Sequence, residues 1–73
     1  MTDLSNRHPS TTGILRYFEY KHLPEKLQAI SKPVSDMAHT MVSSLADGPE
    51  LTAGLRKQLE AKDCIVRAAL DAD

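Results

Sequence analysis

Residues 24–70 read PEKLQAISKPVSDMAHTMVSSLADGPELTAGLRKQLEAKDCIVRAAL and decide the fold. Their hydrophobic side chains recur at the 3.6-residue period of an amphipathic helix, twice over. The first stripe consists of Leu23, Leu27, Ile30, Val34, Met37, Ala38, Met41 and Leu45. The second consists of Leu51, Leu55, Leu59, Val66, Ala69 and Leu70. The pattern predicts helices over about 24–46 and 49–70.

The tripeptide Asp47-Gly48-Pro49 separates these helices. Glycine favours the position after a helix end, and proline favours the first turn of the next helix. Because so few residues link the helices, we expect them to run antiparallel. The sequence therefore predicts an all-α fold, an antiparallel two-helix hairpin. Pro33 removes a hydrogen bond within the first helix and clashes with the carbonyl of Ala29, so we expect a kink near 31–33 without a break.

The N-terminal part of the chain has no helical period. Residues 1–12, MTDLSNRHPSTT, are polar and contain a proline, which predicts a flexible tail. Residues 13–23 are apolar and aromatic but too few to fold alone, so we expect a short helical or irregular turn packed on the hairpin. The predicted domain is 13–73.

The hairpin is small for a protein that must bury a core. A chain of 73 residues is one domain at most, and such domains usually need a disulfide, a metal or a partner subunit. The lone cysteine, Cys64, excludes an internal disulfide, and no zinc-site spacing is present. Met37, Val42 and Ile65 lie at the edges of the hydrophobic stripes and would be exposed to solvent in a monomer. Because a partner subunit could cover them, we predict a homo-oligomer, a dimer or larger.

The charge pattern excludes several functions. Nine basic and ten acidic residues give a net charge of -1, which argues against DNA or an anionic membrane as a partner. Without a membrane span or signal peptide, we expect the protein in the cytoplasm. His8, His22 and His39 are scattered and no nucleophile or phosphate-loop motif is present, so we expect no enzyme activity, metal or cofactor.

All three aromatic residues, Tyr17, Phe18 and Tyr20, fall within four positions. Aromatic rings either anchor a core or form platforms on which flat ligands stack. We assign Tyr17 and Phe18 to the core and Tyr20 to a ligand platform. Tyr20 lies just before a helix start, where free N–H groups favour an anion, and Lys21 or Lys26 could contact a phosphate there.

Lys62 occupies the middle of the apolar stripe of the second helix, where a lysine is unexpected. One interpretation is that its stem packs on the hydrophobic face while its ammonium reaches solvent or an acid of a neighbouring chain. The other is that it contacts a phosphate or a partner at a subunit junction. The sequence leaves both interpretations open.

The segments Tyr20-Lys21-His22-Leu23-Pro24 and 59–70, LEAKDCIVRAAL, are similar to the hairpin domain of phage anti-CBASS and anti-Thoeris cyclic-nucleotide sponges. The resemblance implies a phage protein that forms a compact oligomer, binds cyclic oligonucleotides without cutting them and so counteracts bacterial immunity. It gives base stacking to Tyr20 and phosphate contact to a first-helix lysine. Lys26 and Lys32 do not fall at the family spacing, and Cys64-Ile65 replaces a Met-Trp pair.

The sequence thus supports two hypotheses. The first is a non-enzymatic sponge for a cyclic di- or trinucleotide, with a site formed by Tyr20, Lys21, Lys26 or Lys32, and Arg67 of a neighbouring chain, through stacking and charge-assisted hydrogen bonds. The alternative is a small helical oligomeric protein-interaction module of a phage or prophage. A DNA-binding regulator is disfavoured because no recognition helix is basic.

Overall fold

The computed structural model describes residues 6–72, and every regular element in this range is helical. Helix α1 spans Pro9–Leu15 and continues into a 3₁₀ turn at Arg16–Phe18. Helix α2 spans Glu25–Ser44 and helix α3 spans Pro49–Asp71. The all-α class is therefore confirmed for the described residues. None of these helices combines the length and the hydropathy that crossing a bilayer requires.

Helices α2 and α3 begin and end within two residues of the predicted bounds. Pro49 is the first residue of α3, but Pro24 is the residue that precedes α2 and not its first helical residue. Helix α2 runs unbroken through Pro33; the kink stays a prediction. The Gln28 side chain secures the start of α2 by donating hydrogen bonds to the carbonyls of Lys21, at 3.2 Å, and Leu23, at 2.8 Å.

The flexible tail predicted for residues 1–12 is wrong for its described part, since residues 9–12 belong to α1. Thr11 is fully buried there. His8 caps α1, its ring nitrogen accepting a hydrogen bond from the Ser10 N–H. Arg7, His8 and Thr11 hydrogen-bond to the α2–α3 connector, residues 45–48. The composition of the segment does not reveal these contacts. Residues 1–5 lie outside the described range.

Helix α2 does not end on a glycine cap. Gly48 has extended backbone angles and lies directly before α3. The carbonyls of Val42 and Leu45 at the end of α2 accept hydrogen bonds from the Arg7 guanidinium instead. A helix leaves its last carbonyls without intrahelical donors, and a basic side chain can supply them. An arginine from the supposed tail therefore caps α2.

The core lies where α1 and the 3₁₀ turn pack against α2 and α3. Phe18, Val42 and Leu55 are its largest fully buried hydrophobic side chains. The remaining members are Ile14, Leu15, Ala38 and Leu51, with Val34, Met41 and Leu59 packed at its border. The core therefore depends on an N-terminal element that a two-helix hairpin lacks.

This N-terminal element changes which face of α2 is buried. The buried residues of α2 are Ser31, Ser35, Ala38 and Val42, which lie about 80° around the helix from the centre of the predicted stripe. The expectation that Val42 is wet is therefore wrong, whereas Met37 is 53% exposed, as predicted. The physical reason is that α1 and the 3₁₀ turn pack on one side of α2 and α3. The residues of α2 on that side are therefore the buried ones.

Candidate ligand-binding cleft

The predicted site residues do not form one site. Lys21, Lys26 and Lys32 are exposed and Tyr20 is half-buried, all in or near the first turns of α2. The fifth residue, Arg67, lies on the second half of α3. The structure thus places Arg67 in a cleft from which the other four are absent.

Lys32 is close enough to Tyr20 for the two side chains to interact electrostatically. Its Nζ lies 2.6 Å from Asp36 Oδ2, one helical turn further along α2. The pKa of Lys32 is raised above its ordinary value, first by the hydrogen bond to Asp36, then by the Asp36 charge, and then by the charge that Tyr20 gains on ionisation. Because Asp36 already holds this ammonium, a phosphate would have to compete for it.

A cleft of about 320 Å³ lies between the 3₁₀ turn, the segment before α2 and the second half of α3. Leu23 and Val66 give it apolar walls. Its other lining residues are polar or charged: Arg16, Tyr17, Glu19, His22, Lys62, Asp63 and Arg67. The volume is at the lower end of the range of about 300–1,000 Å³ for small-molecule sites.

Tyr17 is the aromatic residue of this cleft, and its side chain is 56% exposed. The expectation that Tyr17 is a core anchor is therefore wrong, whereas Phe18 is buried as predicted, at 1% exposed. Both residues belong to the 3₁₀ turn, in which successive side chains point about 120° apart. Burying Phe18 against α2 and α3 consequently leaves the Tyr17 ring open to solvent.

The Arg16 guanidinium lies over the Tyr17 ring, with its central carbon 5.2 Å from the ring centroid. Its Nη2 also donates a long hydrogen bond of 3.4 Å to the Tyr17 hydroxyl. This hydrogen bond, followed by the Arg16 charge, lowers the pKa of Tyr17 below its ordinary value. The pair combines an exposed aromatic ring with a planar cation over one face of it, and such a combination suits a ligand with both an aromatic base and an anionic group.

The α3 wall adds two cations. Lys62 is largely buried and lies 3.0 Å from Asp63 Oδ1, so the acid that pairs with it belongs to its own chain. Arg67 is exposed, and its Nη2 donates to the Cys64 sulfur at 3.4 Å, a weak interaction. With Lys62 paired to Asp63, the guanidinium groups of Arg16 and Arg67 carry the positive charge available to an anion.

A second, wider cavity of about 630 Å³ lies beside the start of α3. Asp47 is part of its wall and no aromatic ring other than that of His8 lines it. Both cavities have acidic residues in their walls, but Arg56 is the only lysine or arginine that lines this one, whereas three line the cleft at Tyr17. A stacking surface is also largely missing here. The cleft at Tyr17 therefore fits a planar anion better.

Sequence reasoning missed Arg16 and Tyr17 as site residues, although it singled out Lys62 and the aromatic run. The sequence signal that could have identified this site is the adjacent Arg16-Tyr17 pair. Only the conformation of the 3₁₀ turn, however, shows that the Tyr17 ring faces outward and the Phe18 ring inward. No cluster of potential metal ligands occurs within residues 6–72. No family model, no curated protein and no solved structure matches this chain.

Proposed function

We propose that this protein binds a cyclic oligonucleotide second messenger without cleaving it, and so withholds the messenger from its effectors. The observation that carries the proposal is the exposed Tyr17 ring, which lies against the Arg16 guanidinium in a cleft that also contains Arg67. A base stacks on Tyr17, and the phosphates accept hydrogen bonds from the two guanidinium groups. Lys62 lines the same cleft, but its charge is paired with that of Asp63.

The cleft has room for part of such a ligand. Its volume suits about one nucleotide unit of a cyclic dinucleotide, and the other unit extends toward solvent or toward a neighbouring subunit. We therefore propose that α2 and α3 form an antiparallel hairpin that assembles into a homo-oligomer, as the sequence predicts. The similarity of residues 20–24 and 59–70 to phage cyclic-nucleotide sponges supports the biological setting, evasion of bacterial immunity in the host cytoplasm.

Calorimetry and thermal shift against a panel of cyclic di- and trinucleotides test the proposal. We expect at least one of them to stabilise the wild type. Tyr17→Ala should weaken that ligand by about 5- to 150-fold, since stacking of one base contributes about 1–3 kcal/mol. The control is Tyr20→Ala, which removes a ring of the same kind outside the cleft. Chromatography of the released ligand should recover it intact.

Two outcomes would contradict the proposal in different ways. If no cyclic nucleotide in the panel binds the wild type, the function is wrong. If Tyr20→Ala abolishes binding and Tyr17→Ala does not, the function stands but the site lies at Tyr20 and Lys32.

The alternative function, a protein-interaction module, has one observation in its favour. Met37, Leu45, Ile65 and Leu70 are each about half exposed, more apolar surface than a ligand cleft explains. A lack of cyclic-nucleotide binding together with a stable protein complex would favour this function.

A further inference from the structure

Helices α2 and α3 share an open face that is separate from the buried face of α2. A groove of about 200 Å³ marks its position, lined by Met41 of α2, by Leu45 directly after α2, and by Gly54 and Gln58 of α3, among others. Helical spacing extends the same face along α2 to Met37 and Ile30, and along α3 to Ala61, Ile65 and Ala68. No described residue from α1 or the 3₁₀ turn lines the groove.

The two helices contribute side chains of complementary size to this face. Helix α2 presents a ridge of large side chains at alternating spacings of four and three: Ile30, Val34, Met37 and Met41. Helix α3 presents a trough of small residues seven apart, Gly54, Ala61 and Ala68. Apart from Gly54 itself, its chain neighbours and the nearby backbone of α3, no heavy atom lies within 4 Å of the point where a Cβ of Gly54 would be, so a neighbouring helix can approach closely there. These are the spacings with which knobs pack into holes between helices.

We propose that a second copy of this chain covers the open face in a two-fold symmetric dimer. A two-fold axis parallel to the helices places the α2 ridge of each copy in the α3 trough of the other. An isologous interface needs one surface that complements itself. A ridge and a trough side by side on the same face meet this requirement.

The face is large enough for a stable dimer. Helix α2 has 20 residues and is therefore about 30 Å long, and two adjacent helices are about 20 Å wide. Their product is roughly 600 Å² per copy, or about 1,200 Å² in total, above the value of about 1,000 Å² that specific interfaces exceed. The ridge and trough contain no charged residue, although Glu50 also lines the groove. Met37 and Ile65 on this face are 53% and 44% exposed.

Gln58 supplies an independent reason for a second copy. Its Oε1 is buried and accepts no hydrogen bond from the described residues, which is costly for a polar group. This oxygen is covered within the single chain, so the Gln58 side chain has to rotate outward to reach a partner. The proposed axis places the two Gln58 residues at the same level, where the rotated amides can each donate from Nε2 to the Oε1 of the other. Such a reciprocal pair satisfies both amides and fixes the register, as a buried polar residue does in coiled coils.

This dimer rests on the homo-oligomer proposed above but not on any ligand. Sedimentation equilibrium of the full chain, without nucleotide, tests it with two matched alanines of α3, Ala61 in the trough and Ala53 outside it. Both alanines are exposed, so replacing either one with glutamate is compatible with the monomer fold. Circular dichroism checks that each variant is folded. We expect the wild type to form a dimer of two 8.1 kDa chains at tens of micromolar.

Ala61→Glu should raise the dimer Kd more than about 100-fold because it buries a carboxylate in the interface, whereas Ala53→Glu should leave it within about twofold. Gln58→Glu should dissociate the dimer at neutral pH, and dimers should return as acid protonates the facing carboxyl pair. A monomeric wild type, or equal effects of Ala61→Glu and Ala53→Glu, would overturn the proposal. If the dimer Kd of Gln58→Glu does not change with pH, the two Gln58 side chains do not form a reciprocal pair. None of these outcomes depends on cyclic-nucleotide binding.

Discussion

Arg7 Nε lies 2.9 Å from Asp47 Oδ1, and this ion pair joins the segment before α1 to the connector between α2 and α3. The same guanidinium donates to the carbonyls of Val42 and Leu45, the latter at 2.8 Å. Asp47 in turn accepts hydrogen bonds from the His8 N–H and the Thr11 hydroxyl, each at 2.8 Å. One ion pair therefore holds the start of α1, the end of α2 and the connector together.

Arg7→Ala should lower the melting temperature by several degrees. The substitution removes the donors of two helix-end carbonyls and of a carboxylate at once, and unpaired polar groups are costly. Thermal unfolding followed by circular dichroism measures the effect. The control is Arg56→Ala, an exposed arginine beside the same connector, which should have little effect. Equal melting temperatures for Arg7→Ala and the wild type would show that Arg7 does not secure the helix ends.

The stability of the protein should fall in acid partly through Asp47. Its hydrogen bonds, first from His8 and then from Thr11, lower the pKa of this carboxyl. Asp47 therefore stabilises the fold fully above its ordinary pKa of about 4, and this contribution is lost as the pH falls through the lower pKa of the folded state. Urea denaturation from pH 7 to pH 2.5 should show a shallower decline for Asp47→Asn than for the wild type. Parallel declines would contradict this role.

Leu55→Ala should destabilise the protein by about 2–5 kcal/mol, because it leaves a cavity in the closed core. Leu55 is fully buried, whereas Leu70 on the same helix is 53% exposed. Leu70→Ala is thus the matched control and should cost well under 1 kcal/mol in the monomer. The free energy of unfolding in urea measures both. Similar losses at the two positions would place the core elsewhere on α3.

Two buried hydroxyls should respond in opposite directions. The Ser31 hydroxyl is buried and has no hydrogen-bond partner among the described residues, whereas that of Thr11 donates to Asp47. Ser31→Ala should leave stability unchanged or raise it by up to about 1 kcal/mol, since it removes an unsatisfied polar group. Thr11→Val, which keeps the shape but not the donor, should lower stability. Thermal unfolding distinguishes them, and a large loss in Ser31→Ala would reveal a partner for that hydroxyl.

Arg16→Ala should raise the pKa of Tyr17 toward its ordinary value, since Arg16 supplies both causes that lower it. Spectrophotometric titration of the phenols near 295 nm measures this, with Tyr20→Phe as the background so that one tyrosine remains. Arg67→Ala, which removes another guanidinium from the cleft, is the control and should leave the titration unchanged. If Arg16→Ala has no effect, the ring and the guanidinium are not paired in solution.

The sequence was a reliable guide to α2 and α3 because their stripes extend over more than five turns each. Period, proline and glycine are local signals, so the bounds could be predicted within two residues. Helix α1 has only seven residues, and its only strong local signal is the proline at its first position. It forms because Thr11, Ile14 and Leu15 are buried against the rest of the fold, a long-range cause that a polar stretch of sequence conceals.

The candidate site could be predicted only in part for the same reason. The sequence indicated an aromatic run followed by lysines, and an unexpected lysine at position 62 in an apolar stripe. Lys62 does line the cleft. It assigned the ligand platform to Tyr20 because that residue lies just before a helix start, whereas Tyr17 is the tyrosine that lines the cleft. The position of the Tyr17 ring is set by the 3₁₀ turn. The turn buries Phe18 and thereby directs the side chain of Tyr17 outward.

By itself, the sequence determined that this protein is all-helical and where its two long helices begin and end, because helix formation is set by residues a few positions apart. Only the tertiary structure decided which face of α2 is buried and that Tyr17, not Tyr20, lines the cleft. Both depend on the docking of α1 and the 3₁₀ turn, which Arg7 and Asp47 secure across forty residues. Contacts at that separation leave no periodic trace in a sequence.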